Sequence, residues 1–159
     1  MPLGVGPLPA STLNLNSQPS TYPMPLYTFL AGAWTAVLWF FTLGVARHLF
    51  GVFPRERAGE VTTALFPAYF SVAIALGFLA TVILWLRRRD RRDSAALALQ
   101  SIALAALTAT PFLIQPAIAG HAPGTPDFAR LHGISMALNL FSLLTVPVAS
   151  LLVLARSKE

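Results

Sequence analysis

Apolar residues form four long stretches along this chain, separated by polar or charged connections. The stretches cover approximately residues 26–46, 61–86, 95–118 and 134–155. A helix that crosses the hydrocarbon core of a bilayer needs about 20 mostly apolar residues, and each stretch reaches that length. These segments must be helices, because a helix satisfies its own backbone hydrogen bonds in lipid and a short unclosed strand does not. The pattern predicts an all-α integral membrane protein, folded as an antiparallel four-helix bundle.

The composition supports a single membrane domain. Of the 159 residues, 55% are apolar and 11% are charged, which is about half the charged share of a typical soluble domain. We expect one transmembrane domain over residues 26–159, with no room for a second. Residues 1–25 carry no charge and are rich in Pro, Ser and Asn, a composition that predicts a flexible tail. Met24 directly precedes the first stretch, so the biological start is either Met1 or Met24.

Basic residues predict the orientation of the bundle. The connection between the second and third stretches contains five arginines, and Arg156 and Lys158 follow the fourth stretch. Because Lys and Arg are retained on the cytoplasmic side, this excess predicts that both termini are cytoplasmic. Tyr27 and Trp85, near the same side, are expected to be interfacial aromatic residues.

The net charge of +5 does not indicate a nucleic-acid partner. Most of the excess lies in one short loop, without the interleaved aromatic residues of a single-strand binder. The expected partner is the lipid bilayer, and binding of anionic headgroups by the arginine loop stays open. A homo-oligomer or a larger membrane complex also stays open.

Few kinds of active-site chemistry are available to this chain. The absence of cysteine excludes thiolate catalysis and cysteine-ligated metal centres. No nucleophile, base and orienting acid are spaced as a catalytic set. We therefore expect no catalytic residues, no metal site and no cofactor. The remaining alternative is a haem held by His48 and His132, although a lone histidine near a helix start is more often structural.

Small residues and prolines predict local features of the helices. Pro54 is expected to open the second helix, and Thr125 to cap the fourth with Pro126 at its first position. Prolines at 67, 111, 116 and 147 should interrupt helical hydrogen bonds. Small residues at four-residue spacing predict two packing faces, which consist of Ala73, Gly77 and Thr81 on the second helix, and of Ser101, Ala105 and Ala109 on the third.

A polar stripe follows the fourth stretch inward from Arg130. His132, Ser135 and Asn139 are spaced i, i+3 and i+7 and share one helix face. Asn139 lies about 10 Å below His132 at the rise of an α-helix, deep enough for its amide to need a partner. The stripe is either a set of interhelical hydrogen bonds or one wall of a polar cavity that opens outward.

Polar side chains also fall at comparable depths on the other three stretches, namely Thr42 on the first, Thr63 and Tyr69 on the second, and Gln115 on the third. We predict one outer polar pocket, formed by Arg55, Tyr69, Arg130, His132, Ser135 and Asn139.

Several motifs resemble those of a known family. They are Ala33-Trp34, Phe53-Pro54-Arg55, Leu65 to Phe70, and Phe128 to Leu140. In this order they resemble the signature of the transmembrane protein 205-like family, known in bacteria as a domain of unknown function, over about residues 32–144. The resemblance implies a four-helix membrane protein for which no reaction is established. The animal member is associated with resistance to platinum drugs and with vesicle trafficking.

The motif match includes Pro54, Arg55, Phe66, Pro67, Tyr69, Phe70, Arg130, His132, Gly133, Ser135 and Asn139. One departure is Gln115-Pro116, where relatives often have an acidic residue before the proline. A mechanism that needs a carboxylate at this position is therefore in doubt.

Two classes of function follow from these observations. In the first, the protein is a binding or transport-related component, in a bacterial inner (plasma) membrane, that admits a small polar or metal-containing solute to the outer pocket. In the second, it is a structural or accessory subunit of a larger membrane complex, with no transport of its own. It is not expected to be an enzyme.

Overall fold

The computed structural model describes residues 23–88 and 91–155, which are helical almost throughout and contain no strand. The tail predicted for residues 1–25 falls mainly outside these ranges, as do Arg156 and Lys158. The helical elements are α1 (Pro23–Trp39), a first π-helical segment (Phe40–Ala46), α2 (Arg47–Val52), α3 (Arg55–Arg87), α4 (Arg91–Ala109), a second π-helical segment (Thr110–Ile114), α5 (Gln115–Ala119) and α6 (Pro126–Ala155).

Continuous elements combine into four long helices. They are Pro25–Val52, Arg55–Arg87, Arg91–Ala119 and Pro126–Ala155, and each is long and apolar enough to cross a membrane. This confirms the all-α class and the four apolar helices. We refer to them as the first to fourth long helices.

The long helices extend beyond the apolar stretches that predicted them. α3 has 33 residues, or about 50 Å at 1.5 Å per residue, against a hydrocarbon core of about 30 Å. Its first turns are charged, and the Arg57 guanidinium donates to the Glu60 carboxylate at 2.8 Å. Hydropathy does not predict these charged helical turns, because the helical hydrogen bonds begin before the apolar residues do.

The predicted helix starts are confirmed. Pro54 directly precedes α3, and its carbonyl accepts from the Ala58 N–H at 2.9 Å. α6 begins at Pro126, and the Thr125 hydroxyl accepts from the Phe128 N–H at 3.3 Å. The Thr125 side chain thereby satisfies one of the backbone donors that a helix start leaves free.

Each long helix packs against two others. α1 and α4 both contact α3 and α6, whereas the pairs α1–α4 and α3–α6 make no close backbone approach within the described residues. α1 and α4 therefore face each other across a diagonal, and so do α3 and α6. One apolar cluster combines the start of α1, the end of α3, the start of α4 and the end of α6, and consists of Tyr27, Ala31, Leu84, Ala96, Ala149 and Val153. A second, larger cluster around Trp34 lies further along the same helices.

The small-residue face predicted for α3 is confirmed in part. Ala73 and Gly77 are buried, and a Cβ atom added to Gly77 would lie only 2.7 Å from Cε2 of Trp34. Thr81 is half-buried and donates to the Gly77 carbonyl at 2.7 Å. Glycine is therefore needed at position 77 for the close approach of the indole.

The corresponding prediction for α4 is wrong. Ser101 and Ala105 are exposed, and the buried face consists of Asp93, Ala96, Gln100, Ala103 and Leu107. Alanine is so frequent on α4 that small residues recur at four-residue spacing on more than one face. Spacing alone therefore does not identify the packed face.

The second π-helical segment coincides with two of the prolines. The Gln115 N–H donates to the Thr110 carbonyl five residues earlier, in place of the α-helical partner four residues earlier. Pro111 and Pro116 lack an N–H and cannot continue an α-helical ladder, so a local widening of the helix lets other donors reach the freed carbonyls. Pro67 and Pro147 lie inside α3 and α6.

Candidate functional site

Three polar side chains from three long helices join in one hydrogen-bonded group. The Tyr69 hydroxyl donates to Oδ1 of Asn139 at 2.8 Å, and Nδ2 of Asn139 donates to the Thr42 hydroxyl at 3.0 Å. Tyr69 lies on α3, Asn139 on α6 and Thr42 in the first π-helical segment. We refer to these three residues as the polar triad.

Aromatic rings surround the Tyr69 member of the triad. The Phe41 ring stacks on the Tyr69 ring at a centroid distance of 4.0 Å, and Phe70 packs against Tyr69 at 4.9 Å. Phe66 contacts both Phe41 and Phe70. In so apolar an environment an unpaired amide or hydroxyl would be strongly destabilising. The triad avoids this, because its members satisfy one another.

The predicted outer pocket contains residues at very different levels. The structure joins Tyr69 and Asn139 directly. α3 rises about 21 Å over the 14 residues between Arg55 and Tyr69, so these two side chains do not lie at one depth. α6 likewise rises about 14 Å between Arg130 and Asn139.

The remaining predicted residues have few contacts. Arg55, Arg130 and His132 are exposed, and His132 stacks on Phe128 with ring centroids 5.9 Å apart. Ser135 is buried. A common pocket for all six predicted residues stays a prediction.

The sequence predicts that Thr42 lies at a depth comparable to that of Asn139, and the two residues are hydrogen-bonded in the structure. Thr42 is nevertheless not among the predicted site residues. The predicted site also lacks Tyr27 and Gln100, which are fully buried and in contact with each other. Tyr27 is fully buried in the protein, with the Arg87 guanidinium 5.9 Å from its ring centroid, and Trp85 is half-exposed. An interfacial depth for these two aromatic residues stays a prediction. The signal for Gln100 is an amide within an apolar stretch, near the start of residues 95–118, because polar groups within membrane segments usually face a partner.

A lateral groove lies between α3 and the third long helix. Its volume is about 920 Å³, and it is open to the side. The groove is lined by Thr63, Phe66, Pro67, Phe70, Ser71, Ile74, Ala75, Phe78, Leu104, Thr108, Pro111, Phe112 and Gln115. Its walls are therefore largely aromatic and aliphatic, with four polar side chains among them.

The polar side chains of the lateral groove differ in their partners. Thr108 donates to the Leu104 carbonyl at 2.7 Å on its own helix. Thr63, Ser71 and Gln115 make no side-chain hydrogen bond within residues 23–88 and 91–155. Thr63 lies near the start of α3 and Gln115 near the end of the third long helix, so the groove has hydrogen-bonding groups at the end formed by these two segments.

Within the described ranges, no three His, Cys, Asp or Glu side chains come together as metal ligands. The Arg57–Glu60 contact at the start of α3 joins two exposed side chains, and a pair of this kind contributes little to stability.

Comparison with known proteins identifies the class to which this chain belongs. Residues 29–122 match the family described as a domain of unknown function, DUF4149. An uncharacterized protein of Aquifex aeolicus (strain VF5) is 34% identical over 106 residues, which are 66% of this chain and 76% of the relative. The chain is a member of the DUF4149 family, a family of unestablished activity. No solved structure matches it.

The family match covers most of the features described above. It includes Thr42, Tyr69 and the whole lateral groove, and it ends before α6. Asn139 and the stripe around His132 therefore lie outside the matched residues.

Proposed function

We propose that this protein is a membrane-embedded binding component that takes an amphipathic small molecule from the outer leaflet into its lateral groove. Its four long helices cross the bacterial inner membrane as an antiparallel bundle with both termini cytoplasmic. The arginine-rich connection between α3 and α4 supports this orientation, because basic residues are retained inside. Beside this connection, the Arg88 guanidinium lies over the Trp85 ring at 5.9 Å from the ring centroid. Such a contact is expected for a pair at the membrane surface.

The lateral groove is the observation that carries the binding proposal. Its volume of about 920 Å³ lies within the range of small-molecule sites, which are mostly apolar with a few placed polar groups. In a bilayer the open side of the groove faces acyl chains. A ligand with an apolar body would enter from the lipid, and its polar end would meet Thr63 and Gln115.

The polar triad supports this site indirectly. Tyr69 is flanked by Phe66 and Phe70, which line the groove. By bonding to Asn139, Tyr69 fixes the rotation of α3 about its axis and thereby the position of these two rings. We assign the triad a positioning role. Arg55, Arg130, His132 and Ser135, with Tyr69 and Asn139, remain the proposed outer polar site through which a polar solute or headgroup approaches.

One observation favours the accessory-subunit alternative. The groove follows α3 from Thr63 to Phe78, which is about 22 Å along the helix axis. A surface of this length also fits a membrane helix of a partner protein. The resemblance to the transmembrane protein 205-like family agrees with either reading, because no reaction is established there.

Two substitutions on α3 test the groove directly. Ala75→Phe places a ring inside the groove, whereas Val72→Phe enlarges an exposed side chain that does not line it. The proteins would be purified in native lipid particles and analysed by mass spectrometry. We expect an amphipathic molecule to remain bound to the parent and to Val72→Phe, and to be lost from Ala75→Phe.

The same experiment distinguishes the alternative. A stoichiometric protein that is lost only from Ala75→Phe would support the accessory role. An identical set of bound molecules in all three proteins would contradict a binding role for the groove.

A further inference from the structure

Prolines inside the long helices leave backbone carbonyls that need another donor. Proline has no N–H, so the carbonyl four residues before it loses its α-helical partner. Membrane helices tolerate this loss when a neighbouring helix, a side chain or a local widening supplies a different hydrogen bond. The prolines placed in this way are Pro67, Pro111, Pro116 and Pro147.

Three of these prolines are accompanied by a rearranged hydrogen bond. Pro147 lies inside α6 and cannot donate to the Leu143 carbonyl, and Nε1 of Trp39 on α1 donates to that carbonyl at 3.1 Å. The second π-helical segment contains Pro111 and ends shortly before Pro116. Donors in such a segment shift to carbonyls five residues earlier. A side chain and a widened turn thus accompany these prolines.

Pro67 is accompanied by neither device. α3 is α-helical throughout Arg55–Arg87, so no π-helical widening surrounds this proline. The acceptor that Pro67 leaves free is the Thr63 carbonyl. Within residues 23–88 and 91–155, no side chain donates to that carbonyl. The Thr63 carbonyl is therefore open to a donor from outside the described chain.

The freed carbonyl lies at the wall of the lateral groove. In an α-helix a carbonyl points along the axis towards the residue four positions later, so this oxygen lies on the helix face that carries Thr63 and Pro67. Both residues line the groove, as does Ser71 one turn further on, and Gln115 lines it from the third long helix. α3 thus presents to the groove a backbone acceptor between two hydroxyls.

The walls of the groove are uncharged. Among the described residues that line it, none is Asp, Glu, Lys, Arg or His. An ion within a bilayer is strongly destabilised unless a counter-charge or water accompanies it. A backbone carbonyl accepts hydrogen bonds and cannot donate one. The ligand that fits these walls is therefore neutral, and its polar end carries a hydrogen-bond donor.

We propose that the lateral groove selects neutral amphiphiles that carry a hydroxyl group, and that this hydroxyl donates to the Thr63 carbonyl freed by Pro67. A hydroxyl suits the site because it is a small neutral group that donates and also accepts, so it can accept from Ser71 or Gln115 at the same time. Long-chain alcohols and monoacylglycerols belong to this class. This specificity rests on the binding role proposed above for the groove and names the class of its ligand.

Three photoreactive probes with the same alkyl chain test the selectivity. They are a dodecanol with a diazirine in its chain, its methyl ether, which accepts but cannot donate, and the corresponding sulfonate, which is an anion without a donor. Crosslinking to the full chain in lipid nanodiscs would be measured by intact mass spectrometry. At equal concentration in the membrane, we expect the alcohol to crosslink severalfold more than the ether or the sulfonate. A sulfonate or an ether that crosslinks as well as the alcohol would overturn the proposal.

Alanine at position 67 tests the role of the carbonyl. Pro67→Ala restores the N–H that bonds to the Thr63 carbonyl, so the preference for the alcohol over the ether should disappear while crosslinking of the ether persists. Pro147→Ala is the matched control, because it makes the same change on α6 at a position that does not line the groove, and the preference should remain. An undiminished preference in Pro67→Ala would overturn the proposal.

The Thr63 carbonyl can also be observed directly, including in the case that Pro67→Ala does not fold. With ¹³C-carbonyl threonine and ¹⁵N alanine, only Thr–Ala peptide bonds give a correlation, and the chain has them after Thr35, Thr63 and Thr108. Dodecanol should move the Thr63 carbonyl signal and leave the Thr35 signal on α1 in place. A Thr63 signal that stays in place, or that moves equally with the methyl ether, would overturn the proposal.

Ala75→Phe separates this selectivity from the binding role of the groove. Equal crosslinking of the three probes to the parent protein, with loss of all three in Ala75→Phe, would show a groove that binds amphiphiles without selecting a hydroxyl. That result overturns the specificity alone. Crosslinking that is the same in the parent protein and in Ala75→Phe would contradict both the specificity and the binding role.

Discussion

The Tyr69 hydroxyl on α3 bonds to Asn139 on α6 at 2.8 Å, although these two helices make no close backbone approach. The same relation holds between Tyr27 on α1 and Gln100 on α4. Each of these two diagonal helix pairs is therefore bridged by one tyrosine and one amide. Tyrosine suits this role, because its hydroxyl stands far enough from the backbone to cross the axis and its ring packs against apolar neighbours on the way.

Removal of the Asn139 amide should weaken the bridge between α3 and α6. Asn139→Leu keeps a similar volume and leaves the Tyr69 hydroxyl without its acceptor, so we expect a loss of about 1–3 kcal/mol in the free energy of unfolding. Thermal or denaturant unfolding in detergent measures this loss. Ser135→Ala is the matched control, because Ser135 is buried on the same helix face and makes no side-chain hydrogen bond within the described residues; its cost should be smaller.

A second change should restore part of that stability. Tyr69→Phe added to Asn139→Leu removes the stranded hydroxyl, and replacing both partners of a buried hydrogen bond by apolar groups is often nearly neutral. The double variant should thus unfold at a higher temperature than Asn139→Leu alone. Strictly additive losses would show that Tyr69 and Asn139 are not coupled.

The two diagonal bridges should be independent of each other. Tyr27 and Tyr69 belong to different apolar clusters, and the effects of distant substitutions usually add to within about 0.5 kcal/mol. We expect the losses caused by Tyr27→Phe and Tyr69→Phe to sum in the double variant. A coupling energy well above that margin would mean that the packed helices transmit changes from one cluster to the other.

The sequence predicts the helices much better than it predicts these bridges. Runs of apolar residues specify the four long helices because lipid leaves the backbone few alternatives. Gln100 and Tyr27, in contrast, are 73 positions apart, and no local pattern couples them. Asn139 was recognisable as an amide that needs a partner, but the identity of that partner depends on how the helices rotate against one another.

The first π-helical segment shows a similar limit. It contains no proline, and the apolar pattern of Phe40–Ala46 is compatible with an uninterrupted α-helix. Within this segment Phe41 stacks on Tyr69 while the next residue, Thr42, bonds to Asn139. The local widening is thus associated with tertiary contacts of adjacent residues, which a sequence pattern does not reveal.

The close approach of Trp34 to α3 depends on Gly77. An added Cβ would stand 2.7 Å from two atoms of the indole, and overpacking of this kind costs about 1–3 kcal/mol. Gly77→Ala should therefore lower the unfolding temperature and shift the fluorescence of Trp34. Gly32→Ala is the control, since nothing lies within 4 Å of its added methyl. In a helix, alanine is favoured over glycine by up to about 1 kcal/mol, so this variant should be neutral or stabilised.

The proposed orientation can be tested by labelling, because the chain contains no cysteine. Single cysteines at Ser94, beside the arginine-rich connection, and at Ala122, in the connection before α6, should lie on opposite sides of the membrane. Both positions are exposed, and Ala122 avoids Gly124, whose φ of 88° is unfavourable for a side chain. In intact cells an impermeant thiol reagent should label Ala122→Cys and spare Ser94→Cys, and permeabilised cells should show labelling of both. Labelling of Ser94→Cys alone in intact cells would reverse the orientation, and the connection before α6 would then lie on the cytoplasmic side.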